Sequence, residues 1–228
     1  MPKRNLVYDC LVLRARESPA GDRILSLLTA DEGLTDVFVF GGPKSKLRSI
    51  ASPYASGKAF VYLDPVKDFR KLSDFEAIES YPALREDLDR LWSASLVAEL
   101  LVKTSGGGGD FPVVLALARS CLAALNSAPP GGSEPALVLF LWRLVEFLGL
   151  GPEPRACSSC GREFVFRRNP DESQSAPMAG AYSFESDEFL CPACASQTRR
   201  SLPLGQGALR WLARSLELSF EEAVALPL

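Results

Sequence analysis

Two pairs of cysteines constrain this chain more than any other feature of its sequence. Cys157 and Cys160 form one Cys-x-x-Cys pair and Cys191 and Cys194 form a second, with thirty residues between the pairs. Two residues between paired cysteines let one tight turn direct both sulfurs at a single ion, and zinc accepts four sulfurs in a tetrahedron. We therefore expect one structural Zn2+ bound by these four cysteines, which would brace a segment too short to bury a large core.

Other uses of the cysteines fit the sequence less well. A catalytic zinc keeps one position open, usually beside histidine or carboxylate ligands, and this chain contains no histidine. A zinc deaminase needs a proline directly before its Cys-x-x-Cys, whereas Leu190 precedes Cys191. A thioredoxin-like redox pair stays an alternative, although two matched pairs favour a metal. Cys10 and Cys121 stand in separate apolar segments and are expected to be core thiols.

Length and charge narrow the class of protein. The 228 residues exceed one average domain, and 47% hydrophobic with 23% charged residues is typical of a globular protein. The beginning of the sequence lacks the pattern of a signal peptide, and no charge-free apolar stretch is long enough to span a membrane. We expect a cytoplasmic protein without membrane contacts, which suits reduced cysteines. A net charge of -3 means that any nucleic-acid binding must come from a local basic patch.

The first part of the chain has the pattern of short β-strands. Apolar, β-branched and aromatic residues separated by glycine, proline and aspartate predict five of them. The predicted strands cover residues 6–14, 23–29, 34–40, 58–63 and 69–78. Five short strands within about eighty residues suit a small closed barrel, for which the OB-fold is the leading candidate.

A loop with glycines and basic residues, 41–48, lies between the third and fourth predicted strands. Its glycines allow close backbone approach and its cations could contact phosphates, but so short a charge run is also typical of a solvated loop. The candidate nucleic-acid contacts in the barrel are Lys44, Lys46, Arg48, Lys58, Arg70 and Lys71. The aromatic residues that could stack on bases, if exposed, are Phe38, Phe40, Phe60 and Tyr62.

From residue 82 the apolar period becomes helical. The recurring positions are Leu84, Leu88, Leu91, Trp92, Leu96 and Leu100, and the helix that they predict ends before the tetraglycine 106–109. Further helices are predicted over 111–125, from Pro135 to residue 148, over 208–216, and after Ser219, which begins a capping-box pattern. The tetraglycine lacks the pattern of a phosphate-binding P-loop and is predicted to be a linker or loop.

These patterns together predict an α+β protein. An N-terminal five-stranded OB-fold barrel is followed by an all-α helical domain that carries a zinc-ribbon insertion with four cysteine ligands. The predicted segments are the nucleic-acid-binding barrel 1–80, the first part of the helical domain 81–154, the zinc ribbon 155–200, and C-terminal helices 201–228 that pack on the helical domain. Residues 169–180, rich in Pro, Ser and Gln, are expected to be an exposed excursion.

The order of these parts resembles the RecO family of bacterial recombination mediators. The resemblance runs from about residue 6 to about residue 215 and depends on the order and spacing of several motifs. Those motifs are residues 8–13, 21–33, 41–48, 84–88 and 146–150, followed by the two cysteine pairs.

The resemblance implies a role in DNA repair and recombination. RecO-like proteins bind single- and double-stranded DNA without sequence specificity and anneal complementary strands. With RecR they help load RecA onto DNA coated by single-strand binding protein, whose C-terminal tail would dock on the helical domain. The resemblance also implies association with the nucleoid during repair. None of these steps is covalent catalysis, so we do not expect an enzyme.

Two other classes of function stay open. A zinc-ribbon scaffold for protein–protein interactions, without direct DNA binding, would show no salt-dependent affinity for single-stranded DNA. An enzyme fits less well, because the absence of histidine excludes Ser-His-Asp and Cys-His catalysis. The adjacent carboxylates Glu86 and Asp87 would point apart on a helix and are expected to be solvated.

Overall fold

The computed structural model describes residues 4–18, 21–41, 45–67, 69–164 and 179–227. The chain divides into two compact units, Met1–Leu144 and Val145–Leu228. The domain boundaries predicted at residues 80, 154 and 200 stay predictions. Lys44 and nearly all of the excursion predicted over 169–180 lie outside the described residues. In the described part of the chain, no helix is long and apolar enough to cross a membrane.

Five strands of the first unit form a barrel. They are β1 (Asn5–Glu17), β2 (Arg23–Thr29), β3 (Gly33–Val39), β4 (Ser56–Asp64) and β5 (Phe69–Glu79). Each coincides with a strand predicted from the sequence to within a few residues at its ends. A short helix, α1 (Lys46–Ile50), lies between β3 and β4, where the sequence predicted only a loop.

The strands close in the order β1-β2-β3-β5-β4, with β4 also paired to β1. β1 pairs with β4 through its first half and with β2 through its second, and a register shift between Val12 and Arg14 lets it bend from one neighbour to the other. A short parallel pairing of β3 with β5 places Phe38 opposite Lys71. A closed five-stranded barrel followed by helices and a four-cysteine segment confirms the predicted fold class.

The barrel core is filled from alternate positions on each strand, as the two-residue period of a β-strand requires. Val37 and Val39 are fully buried, whereas Phe38 between them lies on the outer face. The core cluster consists of Tyr8, Cys10, Val12, Leu25, Leu27, Val37, Val39, Ala51, Ala55, Ala59, Val61, Leu72 and Phe75. The register therefore settles what the sequence left open: Phe38, Phe60 and Tyr62 do not belong to this core.

Three helices follow the barrel, and each was predicted from the sequence. They are α2 (Leu88–Lys103), α3 (Phe111–Ser127) and α4 (Glu134–Phe147). The Asp87 side chain accepts a hydrogen bond from the Arg90 amide, and the Asp110 side chain accepts one from the Val113 amide. These N-caps satisfy backbone donors that have no partner inside the helix.

The apolar pattern predicted α2 correctly, and the structure assigns its buried face. The buried side chains of α2 are Ser93, Ala94, Val97, Ala98 and Leu101. Leu88, Trp92 and Leu96 belong to the predicted apolar stripe, yet they are 68%, 69% and 40% exposed. Small side chains allow a closer approach between packed elements than large ones do, so the small face lies against the core. A stripe of large apolar side chains is thereby left on the surface.

The tetraglycine forms a tight turn rather than an open linker. Gly106, Gly107 and Gly108 have φ angles of 69°, 81° and 67°, a region that residues with a Cβ rarely adopt. Gly106 is buried, and a Cβ added there would lie 2.9 Å from Leu28 Cδ1. The glycines therefore allow α2 to turn into α3 while the chain stays close to the barrel.

Arg119 ties α3 to the barrel. Its guanidinium donates to both carboxylate oxygens of Asp9 at 2.6 and 2.9 Å, to Ser56 Oγ at 2.7 Å and to the Cys10 carbonyl at 3.1 Å. Hydrogen bonding from Arg119 lowers the pKa of Asp9 below its ordinary value. Because all three acceptors belong to β1 or β4, one side chain fixes the helix against two strands.

The second unit contains a small sheet and a four-cysteine ribbon. Its strands are β6 (Gly180–Ser183), β7 (Glu188–Leu190) and β8 (Ser201–Leu204), in the order β7-β6-β8. Its helices are α5 (Pro192–Ala195), α6 (Gln206–Ser215) and α7 (Phe220–Val224). The capping box predicted at Ser219 is present, with Glu222 as its partner.

Candidate metal centre and nucleic-acid interface

The four cysteine sulfurs form a cage of the size that a metal ion needs. The sulfurs of Cys157, Cys160, Cys191 and Cys194 all lie within 4.8 Å of one another, and those of Cys160 and Cys191 are 3.8 Å apart. A tetrahedral zinc with Zn–S bonds of about 2.3 Å would hold its sulfurs about 3.8 Å apart. The donor set and its dimensions fit one such ion, with every coordination position filled by sulfur.

The first cysteine pair is aimed by a tight backbone turn. The Cys157 amide donates to the Arg162 carbonyl at 2.8 Å, and the Gly161 amide donates to the Cys157 carbonyl at 2.8 Å. Gly161 has a φ of 71°, which lets the chain reverse directly after Cys160. Both thiols of the pair consequently point to one side of the turn.

The second pair spans the start of a helix. Cys191 directly follows β7 and is the N-cap of α5, and the Ala195 amide donates to its carbonyl at 2.9 Å. The Ser158 amide donates to the Phe189 carbonyl at 3.1 Å, which joins the first pair to the strand that leads into the second. Sequence spacing predicted the four ligands, and these local hydrogen bonds bring them together.

The backbone around the cage favours thiolates at two of the four positions. Burial alone would raise the pKa of Cys157, but hydrogen bonds from the backbone of Cys191, Cys160 and Ser159 lower it to about 6. Backbone hydrogen bonding at Cys194 likewise lowers the pKa of Cys191. Metal binding requires thiolates, so these amides support the ligand role.

A third sulfur shows why the cage suits a cation. A hydrogen bond from Ser159 lowers the pKa of Cys194, but its interactions with Cys191 and Cys160 raise that pKa to about 11. If all four sulfurs in this small volume were thiolates, their mutual repulsion would cost free energy, and a positive charge among them offsets that repulsion.

The other two cysteines are separate from the cage. Cys10 and Cys121 are completely buried, and burial raises the pKa of Cys10 to about 12 and raises that of Cys121 as well. Thiols in such surroundings are inert core groups, as the sequence predicted.

The predicted cationic contacts of the barrel do not share one environment. Lys46, Lys58 and Lys71 are exposed. Lys58 lies in register between Asp9 and Glu76, so neighbouring carboxylates offset its charge. Lys71 instead lies between Phe38 and Tyr62.

The two predicted arginine contacts are both engaged within the protein. Arg48 is only 8% exposed, and its guanidinium donates to the Gly21 carbonyl at 3.1 Å and lies 3.9 Å from the Glu17 carboxylate. Arg70 donates to the Glu32 carboxylate at 3.3 Å. Arg48 lies in α1, and the formation of this helix turns its side chain inward. The sequence predicted only a loop here, so it did not indicate that Arg48 is buried. The exposed lysines are therefore better placed than the arginines to meet a phosphate.

Two family models match the chain, one after the other. The model described as Recombination protein O N terminal matches residues 4–81, and the model described as Recombination protein O C terminal matches residues 85–228. The first covers the barrel and the second covers the helices and the cysteine cage.

Relatives with the same description match most of the chain. A DNA repair protein RecO of Symbiobacterium thermophilum is 29% identical over 211 residues, which cover 92% of this chain and 79% of the relative. That of Anaeromyxobacter dehalogenans is 30% identical over 223 residues, covering 96% and 82%. That of Heliobacterium modesticaldum is 30% identical over 215 residues, covering 92% and 73%.

Proposed function

Because the chain belongs to the RecO family of DNA repair proteins, we propose that it acts as a recombination mediator. In this role it binds single- and double-stranded DNA without sequence specificity and anneals complementary strands. With RecR it helps load RecA onto DNA coated by single-strand binding protein. It would do so in the cytoplasm, associated with the nucleoid during repair.

The observation that carries this proposal is a closed barrel with exposed lysines on its outer face, in a chain that family models match at both ends. Lys46 and Lys71 would neutralise phosphates and release counterions, a contribution that does not depend on base sequence. We propose Lys44, Lys58, Arg48 and Arg70 as further phosphate contacts of the same kind. A strand held by its phosphates keeps its base edges open for pairing, as annealing requires.

The cysteine cage would contribute stability rather than chemistry. We propose one Zn2+ held by Cys157, Cys160, Cys191 and Cys194, which leave no position open for a substrate or water. Mediation would then depend on shifts between binding equilibria, in which strand pairing and transfer between proteins supply the free energy. No covalent step is required, so we propose that the protein is not an enzyme.

A second candidate is a protein–protein interaction scaffold that does not bind DNA. The exposed stripe of Leu88, Trp92 and Leu96 favours it, because contiguous apolar surface commonly marks a protein contact. The stripe is equally compatible with a mediator, whose helical domain would receive the C-terminal tail of single-strand binding protein. Direct DNA binding separates the two candidates.

The test is an annealing assay on complementary oligonucleotides coated with single-strand binding protein, in which the rate of annealing is measured by fluorescence. We expect the protein to accelerate annealing and expect Lys46→Glu with Lys71→Glu to slow it, because both substitutions repel phosphates. Lys103→Glu is the control, since Lys103 is an exposed lysine that lies on α2 rather than on a barrel strand. If the wild-type protein does not accelerate annealing, the proposed mediator function is contradicted and the scaffold is the candidate function that remains.

A further inference from the structure

Three aromatic rings lie together on the outside of the barrel, and we call Phe38, Phe40 and Phe69 the aromatic patch. The ring centroids of Phe38 and Phe69 are 4.7 Å apart, and those of Phe40 and Phe69 are 5.9 Å apart. None of the three belongs to the barrel core cluster, and Phe40 is 40% exposed just after the end of β3. The patch is therefore a surface feature that the barrel core does not require.

A lysine completes this surface. The Lys71 ammonium lies 5.5 Å from the centre of the Phe40 ring, within cation–π distance. In the sheet, Lys71 is opposite Phe38 on one side and opposite Tyr62, which is 36% exposed, on the other. Since neighbouring strands are about 4.8 Å apart, two aromatic positions flank one cation across about 10 Å.

We propose that the aromatic patch and Lys71 form a binding site for unpaired nucleotides, in which the Lys71 ammonium moves from the Phe40 ring to a phosphate and a base stacks on the ring face that it leaves. A flat apolar ring beside a cation complements a polyanion whose units carry flat aromatic groups. A duplex keeps its bases stacked inside and offers only its phosphates to such a surface. The site thus selects single strands over duplex, a preference that the lysines alone would not give.

This inference rests on the proposed function and adds to it a means of recognising single strands. Stacking uses the face of a base and leaves its pairing edge accessible. A strand held on the aromatic patch can therefore pair with its complement before it is released. Stacking is also tolerant of sequence, because every base has a π face.

The experiment compares a labelled oligothymidylate with a labelled abasic oligomer of the same length by fluorescence anisotropy. Both oligomers carry the same phosphates, so the ratio of their affinities measures the contribution of the bases to binding. We expect the wild-type protein to bind the oligothymidylate about tenfold more tightly. Phe40→Leu removes the π face but keeps a large apolar side chain, and we expect it to lower that ratio while leaving the abasic affinity unchanged. Phe40→Trp keeps a π face at this position, so it should keep the affinity ratio of the wild-type protein.

The controls separate stacking from folding and from phosphate contact. Phe184→Leu changes an exposed ring of the ribbon and should leave the ratio intact. Equal wild-type affinity for the two oligomers, or a Phe40→Leu ratio equal to the wild-type value, would overturn the stacking site while leaving phosphate binding in place. No binding of either oligomer would overturn both the site and the proposed DNA binding.

Discussion

Replacing Arg119 by methionine tests how the barrel is joined to the helices. Methionine keeps the apolar stem of the side chain but donates none of the four hydrogen bonds that Arg119 makes to Asp9, Ser56 and Cys10. These hydrogen bonds join positions 63 to 110 residues apart in sequence, so they are absent from the unfolded chain. The substitution should therefore destabilise the folded unit directly.

The expected loss follows from the burial of each acceptor. Ser56 and Cys10 are buried, and a hydrogen bond lost there costs about 1 kcal/mol each. The Asp9 side chain is 51% exposed and that of Arg119 is 27% exposed, so solvent screening limits the ion pair to about 1 kcal/mol. We expect a total loss of about 3 kcal/mol, a large share of the ~5–15 kcal/mol that stabilises a typical domain.

Urea unfolding measures this loss, and a second arginine provides a matched control. The Arg16 guanidinium lies 2.6 Å from the Asp36 carboxylate, but both side chains are nearly half exposed. Arg16→Met should cost less than about 1 kcal/mol because the pair is on the surface. Equal losses for the two variants, or no loss for Arg119→Met, would refute the reasoning that burial of the acceptors decides the cost.

Three further predictions concern the metal, pH and the glycine turn. Metal analysis of the purified protein should find about one zinc per chain, lost in Cys157→Ser but kept in Cys121→Ala, since only the former is a cage residue. The pKa of Asp9 is lowered in the folded protein, so its carboxylate should stabilise the fold above about pH 4 and lose this contribution as the pH falls through the folded pKa. The difference in melting temperature between the wild-type protein and Asp9→Asn should therefore shrink in acid. Gly106→Ala should lower the melting temperature more than Gly108→Ala, because both have positive φ but only the first would also meet a neighbouring side chain.

The sequence predicted the barrel and the cysteine cage because both have local signals. Each strand lies between turn residues, and the two residues between paired cysteines correspond to one turn of backbone. The OB-fold followed by helices, and membership of the RecO family, were confirmed. The ligand set stays a prediction until a metal is measured.

The features that the sequence did not predict depend on contacts between distant residues. Whether Arg48 faces solvent depends on the formation of α1 and on the contact with Glu17. A segment that is predicted as a loop indicates neither of them. The buried face of α2 follows small side chains such as Ala94 and Ala98, while the large Trp92 stays exposed. An apolar count gives most weight to the large residues, so it does not indicate a buried face built from small ones.

The same limit applies to the aromatic residues of the barrel. The sequence named Phe38 and Phe40 as residues that could stack on bases but could not assign their faces, since a shift of one residue moves a side chain to the other side of the sheet. Phe69 was predicted as the start of a strand but not as a residue that could stack on bases. The register of β3 against β5 is what brings the three rings together.

The central claim is that the barrel of this RecO-family protein binds single-stranded DNA through its phosphates. The most direct measurement is the affinity of the purified protein for a labelled single strand as the salt concentration is raised. We predict that the logarithm of the association constant falls linearly with the logarithm of salt, with a slope of about -0.7 for each phosphate neutralised. An absence of binding even at low salt, with and without RecR, would contradict the account.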